Sequence, residues 1–360
     1  MYKSALEILN ILNNKGYEAY IIGGYVRDKL IGIENSDIDI ITSATPDQIC
    51  NIFNNDYINN YGSINLKYND CNFDITTFRK EFNYQNRKPN IKFITSLEED
   101  LKRRDFTINT ICIDKNGNYI DLLNGISDLN NKLLKCVGNP VDKLKEDPLR
   151  ILRAIRFSSI YNFKLDAELE KEIILNKSLI NTLSFDRIKK ELDYIFNSNN
   201  VNLAIDMFNR FDLFKLLNIK PKNSVIETGN KISIWAQLEY TDKYNFSNEE
   251  KKSINEIKEI IIENKIDNYT VYKYSMDNIK EANKILNLNI DIDDMYNNLS
   301  IYNKKYIYII FEDLKDIVDI HNINQIYIDL EKQILYNRLK NKKEDIISYI
   351  TSNKVGDNNE

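Results

Sequence analysis

The sequence predicts an α+β protein, with a mixed α/β head over residues 1–138, an all-helical neck over 139–220, and a helical body and tail over 221–360. Three observations predict it. Short β-type runs alternate with short helical patterns up to about residue 138. From about Lys143 strand signals fade and Leu and Ile recur at helical spacing, as in Ile188, Leu192 and Ile195. The 360 residues suffice for two or three domains, each with a core.

Taken in order, residues 3–15 place Ala5, Leu6, Ile8, Leu9, Ile11 and Leu12 at helical spacing, a helix that covers a sheet. Tyr20-Ile-Ile then reads as a buried strand ending at Gly23-Gly24. A short helix from about Val26 to Leu30 and a second strand from Asp37 follow. Thr45-Pro46 has the form of an N-cap followed by proline at the first helical position, opening a helix through about Asn54. Residues 63–68 and 72–79 read as strands turned at Asn69-Asp70. Residues 80–96 are polar and aperiodic, the pattern of a solvated connection. A helix at 97–103 precedes strands around 110–114 and 119–122, joined across the hairpin signal Asn116-Gly117. Helical patterns then run through 201–217, 248–264, 277–287 and 323–350. Neither a repeat nor a low-complexity linker marks the domain borders.

Composition narrows the function classes. Lys and Arg total 49 against 54 Asp and Glu, a net charge of −5. Mild acidity argues against nonspecific coating of polyanions, yet it leaves RNA binding open where basic residues concentrate, at 102–104 and 143–156. Cys50, Cys71, Cys112 and Cys136 are far apart, form no CxxC and have no histidine nearby. They suit reduced thiols in a cytosol better than a zinc site. No apolar run approaches the ~20 residues of a membrane span, and no apolar N-terminal segment follows basic residues. A soluble cytoplasmic protein without a membrane partner is the expectation.

The chemistry concentrates in Tyr20-Ile-Ile-Gly-Gly-Tyr-Val-Arg-Asp28 and Ser36-Asp-Ile-Asp-Ile-Ile-Thr42. Gly23 and Gly24, straight after a strand, allow a tight turn and close approach of backbone N–H groups to an anion. Asp37 and Asp39, one residue apart, face the same way if both lie on a strand. Two carboxylates beside an anion site suit Mg²⁺ ions that grip a nucleoside triphosphate. The competing structural readings are a plain glycine turn and a solvated strand edge. Asp147, Arg150, Arg153 and Arg156 form a second constellation. Each three-residue step turns about 60° around a helix, which keeps all four within one half of its surface, while Ile151, Leu152 and Ile155 bury the other side. That spacing also suits a solvated charged face, and Asp147 before Pro148 can serve as an N-cap.

GGYVRD followed by SDIDIIT resembles the signature of the nucleotidyltransferases of the polymerase-beta superfamily. Within that superfamily the chain is similar to the class II branch, which holds bacterial and eukaryotic CCA-adding enzymes and bacterial poly(A) polymerases. Arg103-Arg-Asp-Phe-Thr-Ile-Asn109, Glu146-Asp-Pro-Leu-Arg150, Arg153-Ala-Ile-Arg-Phe157 and Ser184-Phe-Asp-Arg-Ile-Lys-Lys-Glu-Leu192 match the branch in order, so the resemblance covers about residues 18 to 196.

The resemblance implies a nucleotidyltransferase head that adds C, C and A from CTP and ATP to the 3′ end of tRNA and releases pyrophosphate. Mg²⁺ is the implied cofactor and no protein partner is implied. Asp37 and Asp39 become catalytic metal ligands. Asp74 becomes a candidate third ligand, with an ordinary strand-face aspartate as an equal alternative. Gly23, Gly24 and Arg27 would contact phosphates; for Arg27 a salt bridge with Asp28 or Glu34 is the weaker alternative. Arg104 would reach ribose or triphosphate, with a basic helix end as its plain reading, and Asp105 would fix local structure. Asp147, Arg150, Arg153 and Arg156 would read the incoming base, an Asp accepting from the exocyclic amine that cytosine and adenine share and an Arg donating to a ring acceptor. Ser184, Arg187 and Glu191 would stabilise the neck, and the tail would bind tRNA.

The resemblance also bears on the product. The stretch 80–96 matches a mobile loop of CCA-adding relatives at Arg79, Tyr84, Gln85, Arg87 and Pro89, a loop that CC-adding relatives shorten. The end, Gly356-Asp-Asn-Asn-Glu360, lacks the arginine cluster expected of a poly(A) polymerase. Tyr25, Thr110 and Asp121-Leu-Leu-Asn-Gly125 depart from the family pattern, and the C-terminal region is short. A narrower product (A-adding, CC-adding or poly(A)-adding) is the competing enzymatic reading, and an inactive RNA-binding relative is the non-enzymatic one.

Overall fold

The computed structural model describes residues 1–54, 62–85, 88–221, 224–315, 317–318 and 320–354. Contacts divide the chain into Met1–Asn218 and Ile219–Glu360. The first unit opens with α1 (Tyr2–Asn14), which buries Ala5, Ile8, Leu9 and Leu12. Then come β1 (Ala19–Ile22), α2 (Gly24–Leu30), β2 (Asp39–Thr42), α3 (Pro46–Phe53), β3 (Ser63–Tyr68) and β4 (Cys71–Thr77). Thr45 caps α3 in a reciprocal box with Gln48. Asn69 and Asp70 both take positive φ, the geometry of a two-residue hairpin between β3 and β4.

β5 (Arg79–Gln85), β6 (Lys88–Phe93), α4 (Leu97–Lys102), β7 (Cys112–Ile113) and β8 (Tyr119–Ile120) continue the head. Its sheet runs β3-β4-β2-β1-β7-β8, with only the β2–β4 pair parallel. Ile22, Ile41, Phe78, Leu97, Leu101 and Cys112 pack as one core cluster. This packing brings the end of β1, the start of β2 and the 103–109 stretch to one edge of the core.

The stretch 80–96 corrects the expectation of a solvated loop, because β5 and β6 pair as an antiparallel hairpin. Its apolar residues are too sparse to show a period, and ion pairs at its root tie down the backbone ladder. Arg79 and Arg103 both pair with Glu81. Of the residues matched in that stretch, Arg87 lies outside the described residues, as does the end at 356–360.

After α5 (Gly125–Asn130) and β9 (Leu133–Leu134), the unit becomes helical. α6 (Pro140–Glu146) leads into α7 (Leu149–Tyr161), and β10 (Lys164–Leu165) precedes α8 (Ala167–Asn176), α9 (Phe185–Phe196) and α10 (Val201–Arg210). The all-helical expectation for this region needs one correction, since β9 and β10 form a two-residue parallel pair. The departures from the family pattern are locally satisfied. Thr110 donates to the Thr107 carbonyl at 2.7 Å, and the Asp121 carboxylate accepts from the N–H groups of Gly125 and Ile126. Tyr25 stacks on Tyr2.

The second unit is also mostly helical, with Asn248–Glu263, Met276–Leu286 and Ile323–Leu335 among its helices and one antiparallel strand pair, Ile219–Pro221 with Leu238–Tyr240. Trp235 is fully buried there against Tyr240, Tyr244 and Phe246. Among the described residues, no helix is long and apolar enough to cross a membrane.

Candidate active site

β1 runs into a glycine turn that only glycine can make. Gly23 has φ +83°, and a Cβ there would lie 3.3 Å from Asp39 Oδ2. Asp39 is the first residue of β2, between Ile22 of β1 and Asp74 of β4 in register. Asp37 lies before the strand, so the premise that both carboxylates share a strand face is corrected. Its N–H donates to Asn35 Oδ1 at 2.8 Å, which turns the chain ahead of β2. Both carboxylates nevertheless face one cavity of about 730 Å³, together with Gly23, Gly24 and Arg104.

Electrostatics mark Asp39 as the focus of this edge. The surrounding protein partly dehydrates its carboxyl and the Asp37 charge repels it, which Arg104 opposes and Asp74 reinforces; the balance pushes its pKa up to about 6. A divalent cation would relieve that crowding, so the donor set fits Mg²⁺. Among the described residues, no group of three or more His, Cys, Asp or Glu could hold a metal ion. Mg²⁺ commonly takes one or two carboxylates and completes its shell with substrate phosphates and water. Asp74 accepts from the Asn65 amide at 3.0 Å and is not among the residues lining the cavity.

Arg104 is buried against Asp100, 3.3 Å away, while its Nε makes no hydrogen bond among the described residues. An unpaired buried donor costs about 1–3 kcal/mol, while the residue itself lines the cavity and sets its positive charge there. Asp100 was not singled out in the sequence, yet it organises this corner. Its fully buried carboxylate accepts from Arg79 N and Arg103 Nε and pairs with Arg104.

Arg27 makes the pairing ranked second in the sequence. Its guanidinium is bonded to Asp28 at 2.8 Å, donates to Asn109 Oδ1 at 2.7 Å and to the Tyr161 hydroxyl, and packs over the Phe157 and Tyr161 rings. These bonds form part of a continuous polar chain. Asn35 donates to Asp28, Arg27 bridges Asp28 to Asn109, Asn109 donates to Asp105, and Arg153 donates to Asp105 at 2.8 Å. The GGYVRD turn, the 103–109 stretch and α7 are thus tied side chain to side chain.

Burial alone would raise the Asp105 carboxyl. The Arg153 charge and bonds from Asn109, Arg153 and the Phe106 N–H outweigh it and hold the pKa well below the usual carboxylate range. A carboxylate depressed in this way stabilises the fold above the unfolded pKa of about 4. That contribution is lost as pH falls through the folded value. Asp105→Asn should therefore lower stability at pH 7 by about 3–5 kcal/mol and flatten its fall below pH 4, measured by thermal melting across pH 3–7. Melting curves that run parallel at all pH values would overturn this account.

The second constellation is rearranged relative to expectation. Asp147 is extended, outside the helix, and accepts from Leu149 N at 3.2 Å, in the manner of a cap. Arg150, expected to donate to the base, is buried on α7. It donates to the carbonyls of Lys143 and Arg103 and to Glu146 at 2.7–3.1 Å. Arg153 holds Asp105, and Arg156 pairs with Glu191 at 2.8 Å. Arg153 and Arg156 line the main cavity, while Asp147 and Arg150 line an adjoining one with Arg104 and Arg153.

Sequence reasoning assigned Arg187 to structure alone and passed over Asn35, Lys190, Tyr194 and Tyr161, all of which line the main cavity. The signal available was helical spacing. Arg187, Lys190 and Tyr194 sit at i, i+3 and i+7, away from the buried stripe Ile188, Leu192 and Ile195.

Comparison with known proteins adds the following. The model described as "Poly A polymerase head domain" matches residues 19–135, and that described as "Probable RNA and SrmB- binding site of polymerase A" matches 162–221. A CCA-adding enzyme of Ligilactobacillus salivarius (strain UCC118) is 33% identical over 96% of this chain and 95% of that protein. One from Staphylococcus haemolyticus (strain JCSC1435) is 33% identical over 98% of each. Among solved structures, the Bacillus stearothermophilus CCA-adding enzyme in complex with CTP superposes with a TM-score of 0.83, at 21% identity over 99% of both chains. The Thermotoga maritima CCA-adding enzyme complexed with tRNA gives 0.69, at 20% identity over 97% of this chain and 94% of that one. Both solved structures share the fold.

Proposed function

The chain belongs to the family of CCA-adding enzymes, class II tRNA nucleotidyltransferases, and on that premise we propose that it builds C, C and A onto tRNA 3′ ends from CTP and ATP. The observation that carries this reading is the convergence of Gly23, Asp37, Asp39 and Arg104 on one cavity walled by α7 and α9. In the reaction the ribose 3′-oxygen attacks the α-phosphate, and pyrophosphate leaves. When bound, Mg²⁺ supplies a lowered pKa for the attacking hydroxyl and neutralises charge on the triphosphate. Asp37 and Asp39 would hold it, and Asp74 adds a third negative charge beside them.

The other roles follow from the side chains' own partners. Gly23 and Gly24 bring backbone N–H groups toward the phosphates, and Arg104 offers them its positive charge. Arg27, already committed to Asp28 and Asn109, braces the turn. Asp147 accepts from the exocyclic amine of cytosine or adenine, whereas guanine and uracil would present a carbonyl to it. Arg150 fixes the junction that carries Asp147, and Arg153 and Arg156 shape the wall behind the base. On this reading, 1–138 holds the chemistry, 139–220 selects the base and 221–360 grips tRNA. A cytoplasmic location is supported by four free cysteines and a tRNA substrate.

The product expected is a completed CCA end. The β5–β6 hairpin supports it, being anchored through Glu81 to the arginines at 79 and 103, so that a change in the hairpin can reach the cavity wall. Sequencing the 3′ ends formed on a tRNA that stops at the discriminator base checks this. A single A, products halted at CC, or long A runs would each refute it.

A further inference from the structure

We propose that the Arg187–Lys190–Tyr194 face of α9 seats the last nucleotides of the RNA primer, the two cations on backbone phosphates and the tyrosine ring under a base. The proposal rests on the polymerising activity argued above and assigns the second substrate of that reaction a place. The three side chains lie seven residue steps apart from first to last, about 10 Å of helix. They form a strip along which a strand can run.

Their state supports a ligand more than a structural duty. Lys190 is exposed and makes no ion pair among the described residues. Arg187 is 47% exposed, and its one ion-pair partner among the described residues, Asp147, stands 3.9 Å away. By contrast Lys189, on the same helix, is buried and bonded to Asp193 at 2.9 Å. Glu191, the carboxylate on this face, is taken by Arg156, so the strip keeps its positive charge. Tyr194 is 48% exposed, and the Arg156 guanidinium sits 4.9 Å from its ring centroid, which orients the ring within the cavity. Basic side chains interleaved with an aromatic ring are the pattern that tracks single-stranded RNA, because every base offers a π-face.

The triphosphate is the competing occupant. It already has the glycine turn, Arg104 and the carboxylate pair with its cation, all contributed by the head.

The test uses the full-length protein, a tRNA ending at the discriminator base, and Lys190→Ala, Tyr194→Ala and Tyr194→Phe. Tyr194→Ala should raise KM for tRNA about tenfold. Tyr194→Phe should restore it, and KM for CTP should stay at the wild-type value in all three. Lys190→Ala should raise KM for tRNA severalfold and lower the slope of log affinity against log salt by about 0.7. An unchanged KM for tRNA, or a raised KM for CTP alone, would overturn the proposal, the second outcome giving the strip to the triphosphate. Anisotropy of labelled tRNA, independent of turnover, separates the two readings. Wild-type protein that binds tRNA without extending it would refute the activity, and binding untouched by the substitutions would refute the α9 seat. Lys190 is exposed, so Lys190→Ala carries the test even if Tyr194→Ala lowers the melting temperature.

Discussion

Asp39→Ala is expected to reduce CTP transfer to tRNA by about a thousandfold or more, with Asp37→Ala close behind. Asp39 is where glycine turn, strand start and negative charge meet, and among the described residues no other carboxylate lies as close to the Cβ position of Gly23. Single-turnover transfer of labelled CTP measures the loss, and anisotropy should show tRNA affinity within about twofold of wild type, because the RNA seat lies on α9. Near-normal turnover in both single variants would end the metal-ligand assignment. Stability gives an independent readout. A carboxyl whose folded pKa is raised to about 6 destabilises the fold above that pH, and the penalty fades as pH falls toward the unfolded value. Without added metal, Asp39→Asn should therefore melt higher than wild type at pH 8 and no higher at pH 4. A residue serving only the fold would show the opposite.

Asp147→Ala should relax nucleotide choice by about a hundredfold, the scale of a few kcal/mol of lost discrimination. The readout is the kcat/KM ratio of CTP to UTP on one tRNA. Arg150→Ala is expected to act differently, because its guanidinium satisfies two backbone carbonyls and Glu146. Losing these bonds should cost about 2–4 kcal/mol of stability and disturb selectivity only through the α6–α7 junction. Arg150→Lys, which restores charge but not the fork, should recover part of the melting temperature and little of the selectivity. If Asp147→Ala still rejected UTP as wild type does, Asp147 would not be the reader.

The head was legible in the sequence because its signals are local. Thr45-Pro46, Asn69-Asp70 and Asn116-Gly117 each specify a cap or turn by backbone chemistry, and the elements appear where these signals put them. The hairpin at 79–93 was not legible. Beside its backbone ladder it is tied down by Glu81 meeting Arg103, a contact across 22 residues that periodicity does not encode. The site divides the same way. Gly23, Asp37, Asp39 and Arg104 were found by spacing and motif, and they do share a cavity. The partners of Arg27 and Arg150 were less legible, because the oxygens that surround each guanidinium come from Asn109, Tyr161, Lys143 and Arg103, far off in sequence or on the backbone. Arg187, Lys190 and Tyr194 were visible as a face of α9, but only the fold shows what that face looks onto.

The polar chain from Asn35 to Arg153 has a consequence for how such a sequence can drift. Every link is a donor matched to an acceptor, buried from Arg27 to Asp105 and half-buried at Asn35 and Arg153, and changing one buried end alone strands the other, at about 3–5 kcal/mol for a buried charge. Against the 5–15 kcal/mol that holds a typical domain together, two such orphans approach unfolding. Asp105 and Arg153, or Arg156 and Glu191, can then be exchanged only as pairs, so lineages would cross these positions in double steps or leave them fixed.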